Sequence, residues 1–165
     1  MLYIITGPAG VGKSTISKKV AKYLPKSVLI EGDDIYHQVV GSYKSAWEKG
    51  NHLDIFWKVC IDIINDYLNE GYDVVFNYII NKDKFDELKK IFDDLKMIVL
   101  LVNEETIIKR DKQRPEDCQM KERCILLLNN FKKQNYDEKY ILYTDNLNID
   151  ETYNEILNND RFIVN

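Results

Sequence analysis

Residues 7–14, "GPAGVGKS", carry the residue types most directly suited to chemistry. Glycines at positions 7, 10 and 12 precede Lys13 and Ser14 in the spacing G-x-x-x-x-G-K-S. Such glycines allow successive backbone N–H groups to turn inward around an anion, and a following helix directs its positive N-terminal end at the same anion. The pattern predicts a loop that holds nucleotide phosphates. The residues expected to contact the nucleotide there are Gly7, Ala9, Gly10, Val11, Gly12, Lys13, Ser14 and Thr15.

Lys13 and Ser14 have separate expected roles in this loop. The ammonium group of Lys13 is expected to reach the β- and γ-phosphates, and the hydroxyl of Ser14 is expected to bind Mg²⁺. A glycine-rich turn that binds nothing is the simpler alternative. An apolar strand before the motif and an amphipathic helix after it favour the phosphate loop. The loop alone does not distinguish GTPases, motor ATPases and kinases, because all of them share it.

Two further patterns narrow this choice. A GTPase normally carries N-K-x-D for guanine recognition, and "NKDK" at 81–84 places Lys84 at the carboxylate position. A motor ATPase needs an acidic residue that closes a long apolar strand, and "DVVFNYII" at 73–80 offers Asn77 there. The sequence therefore disfavours both classes, and it leaves the second Mg²⁺ ligand unassigned.

Three carboxylates follow the second apolar strand in "LIEGDDIYH": Glu31, Asp33 and Asp34. Ligands of α/β sheets bind beyond the carboxyl ends of the strands, so these acids are expected on the rim where the phosphate loop also opens. Phosphoryl transfer to an alcohol needs a group that orients the hydroxyl and accepts its proton. An aspartate here could instead cap the helix that begins with "IYHQVV". We assign the chemistry to Asp33 and the cap to Asp34.

The phosphate loop together with these acids resembles the small-molecule P-loop kinases, such as shikimate kinase, gluconate kinase and chloramphenicol phosphotransferase. In that group a carboxylate directly after the second strand contacts the acceptor hydroxyl, as D-x-D or as G-D. The resemblance implies that Asp33 has this role and that Glu31 is the acid on the metal side, together with Ser14. Glu31 departs from D-x-D, and its longer side chain would act through water. The resemblance also implies ATP and Mg²⁺ as cofactors.

The same resemblance implies a lid at about residues 110–120. Arg110 and Arg114 stand four residues apart at the end of a predicted helix, therefore on one face, and Pro115 ends that helix. In the resembled kinases one such arginine serves adenine and the other the transferring phosphoryl group, which match Arg110 and Arg114 respectively. The catalytic residues expected on this basis are Lys13, Asp33 and Arg114. The alternative is a solvated helix end whose arginines pair with Glu104, Glu105 and Asp111.

Two other segments complete the expected site. Residues 143–157 resemble the last strand, base-contacting loop and closing helix of these kinases, so Thr144 and Asp145 are expected to touch adenine, mainly through their backbone. Residues 36–58 lie where the resembled kinases insert substrate-binding helices, and they contain no arginine, which disfavours shikimate as the acceptor. Their rings either form walls for a small organic acceptor or are ordinary core and surface residues. These rings are Tyr36, His37, Tyr43, Trp47, His52 and Trp57.

Alternating strands and helices must position these groups. Strands are predicted at 2–6, 27–31, 73–80, 96–102 and 139–144, several of them continuously apolar, as buried parallel strands are. Helices are predicted at 13–23, 53–70, 83–95, 104–112, 120–134 and 150–159. This order predicts an α/β protein with the P-loop NTPase fold: a five-stranded parallel sheet with helices on both faces and a small lid.

The chain of 165 residues fits a single domain, residues 1–165, with the acceptor-binding insertion at about 36–58. Its formal charge of -4 lacks the basic footprint that a nucleic-acid partner usually requires. The cysteines Cys60, Cys118 and Cys124 lack metal-ligand spacing and predict reduced thiols in a cytosolic protein. No apolar run has the length of a membrane span. We expect a cytoplasmic monomer or weak homodimer without membrane contact.

The expected activity is transfer of the γ-phosphate of ATP to a hydroxyl of a small molecule. A nucleotide or polynucleotide kinase is the nearest enzymatic alternative, and a basic channel on the folded surface would favour it. A regulatory module that hydrolyses ATP slowly and transfers nothing is the alternative from another class. The acceptor cannot be read from the sequence, because its site is assembled from segments that lie far apart along the chain.

Overall fold

Five parallel strands form the sheet of the computed structural model, which describes residues 1–164 apart from the side chain of Cys118. The strands are β1 (Leu2–Thr6), β2 (Ser27–Glu31), β3 (Asp73–Asn77), β4 (Leu95–Leu101) and β5 (Ile141–Tyr143). Their order across the sheet is β2-β3-β1-β4-β5, and every neighbouring pair is parallel. The predicted five-stranded parallel sheet is confirmed.

Seven α-helices connect and cover the strands in the described chain. They are α1 (Lys13–Tyr23), α2 (Gly32–Tyr36), α3 (Leu53–Asn69), α4 (Lys82–Ile91), α5 (Glu104–Lys112), α6 (Glu122–Lys132) and α7 (Ile149–Asn158). Crossovers between parallel strands are right-handed, so the step from β1 to β2 places α1 on one face of the sheet. The step from β2 to β3 runs in the opposite direction and places α3 on the other face. Helices therefore cover both faces, and α7 packs beside α1.

The two central strands show why their sequences are apolar. Every residue of β1 and β4 is buried, because helices cover both faces of the sheet there. Lys96 is the one charged residue of β4, and its ammonium donates hydrogen bonds to the carbonyl oxygens of Leu157 at 3.1 Å and Asn159 at 3.2 Å. These carbonyls lie at the C-terminal end of α7, where a helix leaves its acceptors free. Lys96 thus fastens the last helix to the sheet.

Three elements differ from the sequence expectation. β3 ends at Asn77 rather than at residue 80, because the hydroxyl of Thr6 accepts the N–H of Ile80 at 2.9 Å in place of a ladder contact. β5 has three residues, and a 3-10 turn at Glu138–Tyr140 precedes it. α2 begins at Gly32 rather than at the expected "IYHQVV", and it follows β2 with no intervening turn. The sheet ends earlier than the apolar runs suggest, so more side chains are available at its rim.

Two of the cysteines, Cys60 and Cys124, are buried free thiols, in agreement with the predicted reduced state. Burial raises the pKa of Cys60 to about 12, which keeps this thiol protonated. The predicted thiol of Cys118 lies outside the described side chains. Among the helices of residues 1–164, none combines the length and the apolar character needed to cross a bilayer.

Candidate active site

The phosphate loop joins β1 to α1 and depends on its glycines. Gly12 has a φ of 105°, in the left-handed region that side chains rarely adopt, and it directly precedes the first residue of α1. A Cβ atom at Gly7 would collide with the carbonyl oxygen of Leu100 in β4. The glycines therefore allow the loop to turn tightly against the sheet and to aim the start of α1 at an anion.

Lys13 curls back over this loop. Its Nζ donates to the carbonyl oxygens of Gly7 at 3.0 Å and Pro8 at 3.1 Å. Burial lowers the pKa of Lys13 to about 8, and the positive charge of Arg114 acts in the same direction, while Asp33 and Glu31 oppose it. A bound phosphate would favour the charged form, because it places negative charge beside the ammonium group. The loop thus holds a partly desolvated cation where the β- and γ-phosphates are expected.

Glu31 and Asn77 meet Ser14 beside the loop. Glu31 and Asn77 are paired residues of β2 and β3. The hydroxyl of Ser14 donates to Glu31 Oε2 at 3.1 Å, and the amide of Asn77 donates to Ser14 Oγ at 3.0 Å and also to Glu31 Oε2. The structure therefore brings the two predicted metal-side residues together and adds Asn77. Strand pairing could not be read from the sequence, which offered Asn77 only as a missing acid.

The oxygen atoms at this point fit a magnesium ion. Glu31 Oε1 and Asn77 Oδ1 are buried and, within the described residues, lack a hydrogen-bond partner. Buried acceptors without a partner are rare, and Mg²⁺ prefers oxygen ligands while keeping several waters. The described residues contain no cluster of three or more His, Cys, Asp or Glu side chains. A mixed set of one hydroxyl, one carboxylate and one amide, completed by phosphate and water, is the arrangement that fits.

Asp33 and Asp34 both lie in the first turn of α2, but they differ in where they point. Both aspartates are exposed, but Asp33 lines the main cavity together with Lys13 and Asn77, whereas Asp34 is not among the cavity residues. The assignment of Asp34 to a helix cap is wrong. α2 starts at Gly32 directly after β2, so Glu31 occupies the cap position, and no side chain among the described residues caps the helix. The strand runs straight into the helix and leaves no turn residue to act as a cap.

Arg110 ties three parts of the nucleotide side together. Its guanidinium donates to the carbonyl oxygen of Val11 at 2.7 Å and to the hydroxyl and carbonyl oxygens of Thr144 at 3.2 and 3.0 Å. Burial lowers the pKa of Arg110, and Asp145 opposes this change. The side chain thus links α5, the phosphate loop and the end of β5. Arg110 has no described bond to Glu104 or Glu105, contrary to the solvated-helix alternative.

Arg114 follows α5 rather than belonging to it, since the helix ends at Lys112. Its Nη1 lies 3.4 Å from Asp111 Oδ1, and its side chain lines the same cavity as Lys13 and Asp33. Arg114 therefore combines two of the expected features. It pairs with a neighbouring acid, as at a charged helix end, and it faces the cavity, as a lid arginine would.

One cavity of about 590 Å³ collects most of the predicted residues. Those that line it are Ala9, Gly10, Val11, Gly12, Lys13, Ser14, Thr15, Asp33, Arg110, Arg114 and Thr144. Gly7 and Glu31 lie behind this first layer and contact Lys13 and Ser14 respectively. Sequence reasoning missed the wall formed by Leu147, Asn148 and Ile149. A signal was present, because Asn148 and Glu151 form a capping box at the start of α7, and N-x-x-E is its sequence signature.

The expected aromatic wall for the acceptor is absent from this cavity. None of the seven ring residues of 36–58, which are the six named above and Phe56, lines it. The rings pack on one another instead: Tyr36 is buried and stacks on His52 with ring centroids 4.0 Å apart, and His37 stacks on Tyr43. The expected substrate helices are also missing, since residues 37–52, which we call the acceptor loop, contain no helix. The apolar residue that does face the cavity beyond β3 is Ile79.

A family model described as an AAA domain matches residues 4–147, a segment that includes the phosphate loop, Arg110 and Thr144. The match covers more than half of the chain. This chain belongs to the AAA domain family. Among curated relatives, the uridine kinase of Borreliella burgdorferi is 39% identical over 54 residues, which are 32% of this chain and 26% of that kinase. The match therefore spans about a quarter of the relative's length.

Solved structures show which fold this AAA domain has. A sugar kinase from Janibacter sp. HTCC2649 matches with a TM-score of 0.73 and 13% identity, over 95% of this chain and 92% of that chain. A gluconokinase from Sinorhizobium meliloti 1021 matches with a TM-score of 0.63 and 20% identity, over 94% and 89%. A chain of the Pnkp1/Rnl/Hen1 RNA repair complex matches with a TM-score of 0.63 and 19% identity, over 82% and 46%. The AAA domain thus has the P-loop kinase fold, as the resemblance implied.

Proposed function

We propose that this AAA domain protein transfers the γ-phosphate of ATP to a hydroxyl group of a small molecule. The observation that carries the proposal is that the phosphate loop, Asp33 and Arg114 line one cavity. Nucleotide binding alone requires only the loop. Asp33 adds a proton acceptor at the same cavity, and Arg114 adds a cation that can stabilise charge on the transferring group.

Each residue has a defined part in the proposed reaction. The oxygen of the acceptor hydroxyl forms a bond to the γ-phosphorus, the bond from that phosphorus to the β–γ bridging oxygen breaks, and ADP leaves. Asp33 orients the hydroxyl and takes its proton. Lys13 and Arg114 place positive charge beside the phosphoryl oxygens. The wall formed by Arg110 and Thr144 closes the nucleotide side of the cavity.

The metal side of the cavity would be held by this chain's own oxygens. Ser14 and Glu31 would hold Mg²⁺, with the amide oxygen of Asn77 as a further contact. A bound Mg²⁺ neutralises phosphate charge and orients the reacting group. The N–H groups of the Asn77 amide donate to Ser14 Oγ and Glu31 Oε2 and so hold these two side chains together.

The aspartate pair provides a matched experiment. In Asp33→Asn the size is kept and the base is lost, so acceptor-dependent ADP release should fall by roughly 10² to 10⁴-fold, while ATP affinity stays near that of the wild type. Asp34→Asn is the control, because it makes the same change one residue away, outside the cavity. The measurement is ADP release over a panel of hydroxylated metabolites, sugars and nucleosides, with ATP affinity from calorimetry. Full transfer by Asp33→Asn would contradict the assignment.

The same panel addresses the alternatives. The match to a chain of an RNA repair complex favours a polynucleotide kinase as the second candidate, so the panel includes an oligonucleotide with a 5′-hydroxyl. Labelling of the oligonucleotide alone would replace the small molecule with a nucleic-acid acceptor. Slow ATP hydrolysis that no acceptor stimulates would overturn the transferase proposal and support the regulatory ATPase.

A further inference from the structure

Asp111 is a buried acid at the end of α5 that the proposed reaction does not use. Its side chain is only 4% exposed. An ionised carboxylate is almost never buried to this degree unless it is paired or hydrogen-bonded. The contacts that compensate its burial therefore indicate what this carboxylate does.

These contacts close a loop of the chain. On one side, Asp111 Oδ1 lies 3.4 Å from Arg114 Nη1. On the other side, the carboxylate accepts the backbone N–H of Met120 at 3.0 Å and of Lys121 at 2.8 Å. One carboxylate thus holds both ends of residues 113–121, which we call the lid segment. Although burial opposes it, the two N–H groups and the Arg114 guanidinium hold the pKa of Asp111 below its usual range.

Two further observations show that this contact orders the lid segment rather than only filling space. Lys121 has a φ of 50°, an uncommon conformation for a residue with a side chain, and its N–H is the donor of the 2.8 Å bond. Inside the segment, the amide of Gln119 donates to the carbonyl oxygen of Arg114 at 2.9 Å. The same amide lies 3.4 Å from the carbonyl oxygen of Lys112, so Gln119 contacts the backbone before and after Arg114.

Asp111 also lies against the phosphate loop. A Cβ atom built on Gly10 would be 3.9 Å from Asp111 Oδ1. The residue that holds the lid segment is therefore in reach of the loop that holds the phosphates. A shift of Asp111 would change the position of Arg114 relative to the phosphate loop.

We propose that Asp111 is a positioning residue, which holds Arg114 at the phosphate end of the cavity by fastening both ends of the lid segment. This inference rests on the proposed phosphoryl transfer. Asp111 itself contacts neither ATP nor the acceptor in this role. Its effect on the rate passes through Arg114, and that dependence can be measured.

A double-mutant cycle tests the dependence. Asp111→Asn keeps the size of the side chain but removes the charge that pairs with Arg114, so kcat for acceptor phosphorylation should fall about tenfold or more, with ATP affinity changed less than about threefold. In an Arg114→Ala background the same substitution should change kcat less than about twofold. Glu105→Gln, which neutralises an exposed acid on the same helix, should have wild-type kinetics. Multiplicative effects of the two substitutions would overturn the proposal.

A second measurement needs no acceptor and separates this inference from the proposed function. Limited trypsin digestion of the nucleotide-free protein reports order in the lid segment through cleavage after Lys121, because Pro115 blocks cleavage after Arg114. Cleavage should be faster in Asp111→Asn than in Glu105→Gln. Equal cleavage rates would overturn the inference even if the protein transfers phosphate. Faster cleavage in a protein that transfers no phosphate would support the role of Asp111 in ordering the lid segment and would contradict only its role in catalysis.

A milder variant covers the case in which Asp111→Asn does not fold. Gln119→Ala removes the bond to the Arg114 carbonyl oxygen and leaves the buried carboxylate untouched. It should lower kcat about two- to fivefold and leave ATP affinity unchanged, because one neutral hydrogen bond contributes roughly 0.5–1.5 kcal/mol. An unchanged kcat in Gln119→Ala would contradict the positioning role of the lid segment.

Discussion

The nucleotide side of the cavity and the acceptor loop are stabilised by different kinds of contact. On the nucleotide side, Arg110 binds Val11, 99 residues earlier in the chain, and Thr144, 34 residues later. In and around the acceptor loop, the hydroxyl of Tyr36 binds the carbonyl oxygen of Lys44, and the ring of His52 binds the carbonyl oxygen of Tyr36, within 16 residues of each other. Contacts between distant segments therefore hold the nucleotide side, whereas contacts between residues close in sequence hold the acceptor loop.

This difference predicts which substitutions disturb ATP binding and which do not. A change on the nucleotide side disturbs contacts among the phosphate loop, α5 and the end of β5, so it affects ATP binding and protein stability together. A change in the acceptor loop disturbs a local stack of rings. The contact that joins this loop to the lid side is Trp47, over which the Arg123 guanidinium lies at 3.7 Å. Substitutions in the acceptor loop are thus expected to leave nucleotide binding intact.

The largest expected effect separates the two arginines of the nucleotide side. Arg114→Ala should lower kcat on the order of 10² to 10³-fold with little change in ATP affinity or stability, since its contact with the phosphoryl group counts mainly in the transition state. Arg110→Ala should instead weaken ATP binding and lower the free energy of unfolding by about 1–3 kcal/mol, because three partly buried hydrogen bonds are lost. Steady-state kinetics and thermal unfolding without nucleotide distinguish the two. Identical kcat, ATP affinity and stability in the two variants would contradict the assignment of catalysis to Arg114 and of nucleotide binding to Arg110.

A smaller effect is expected for Lys13→Ala. Loss of the ammonium group should weaken ATP binding about 10- to 100-fold, because a hydrogen bond to a charged group contributes about 1.5–3 kcal/mol. Stability without nucleotide should change little, since the variant loses two bonds to loop carbonyls and also the cost of burying a charge. Calorimetric titration measures the affinity for ATP, and thermal unfolding measures the stability without nucleotide. ATP affinity equal to that of the wild type would contradict the phosphate-loop assignment.

The smallest effect is expected for Trp47→Ala. The contact between Trp47 and Arg123 is exposed, and such a cation–π pair contributes about 0.5–1 kcal/mol. The variant should keep both ATP affinity and the KM for the acceptor within about twofold of the wild type, because the contact is weak and Trp47 does not line the cavity. The measurement is a pair of titrations, one in ATP and one in acceptor. A large loss of ATP affinity would show that the two regions are coupled, contrary to the comparison.

Several features of the molecule follow from the sequence alone. The phosphate loop could be placed because its chemistry depends on residue types at fixed spacing, with glycines at positions such as Gly12 that no other residue could fill without strain. The parallel sheet could be predicted because strands buried on both faces must be apolar throughout. The family resemblance added the expected places of Asp33, Arg110 and Arg114, all of which line the cavity.

Other features were decided by the tertiary structure. Asn77 could not be placed beside Glu31 and Ser14, because that contact depends on the pairing of β2 with β3, which leaves no local pattern. Asp34 read as a cap because sequence does not show that β2 passes directly into α2. The sequence left the rings of residues 36–58 open as substrate walls or as ordinary packing, and in the fold Tyr36 stacks on His52 and His37 stacks on Tyr43. Asp111 read as one more charge at a helix end, and only folding buried it against Met120 and Lys121. Residue types and spacing specify chemistry within a segment, while contacts between distant segments arise only when the sheet assembles.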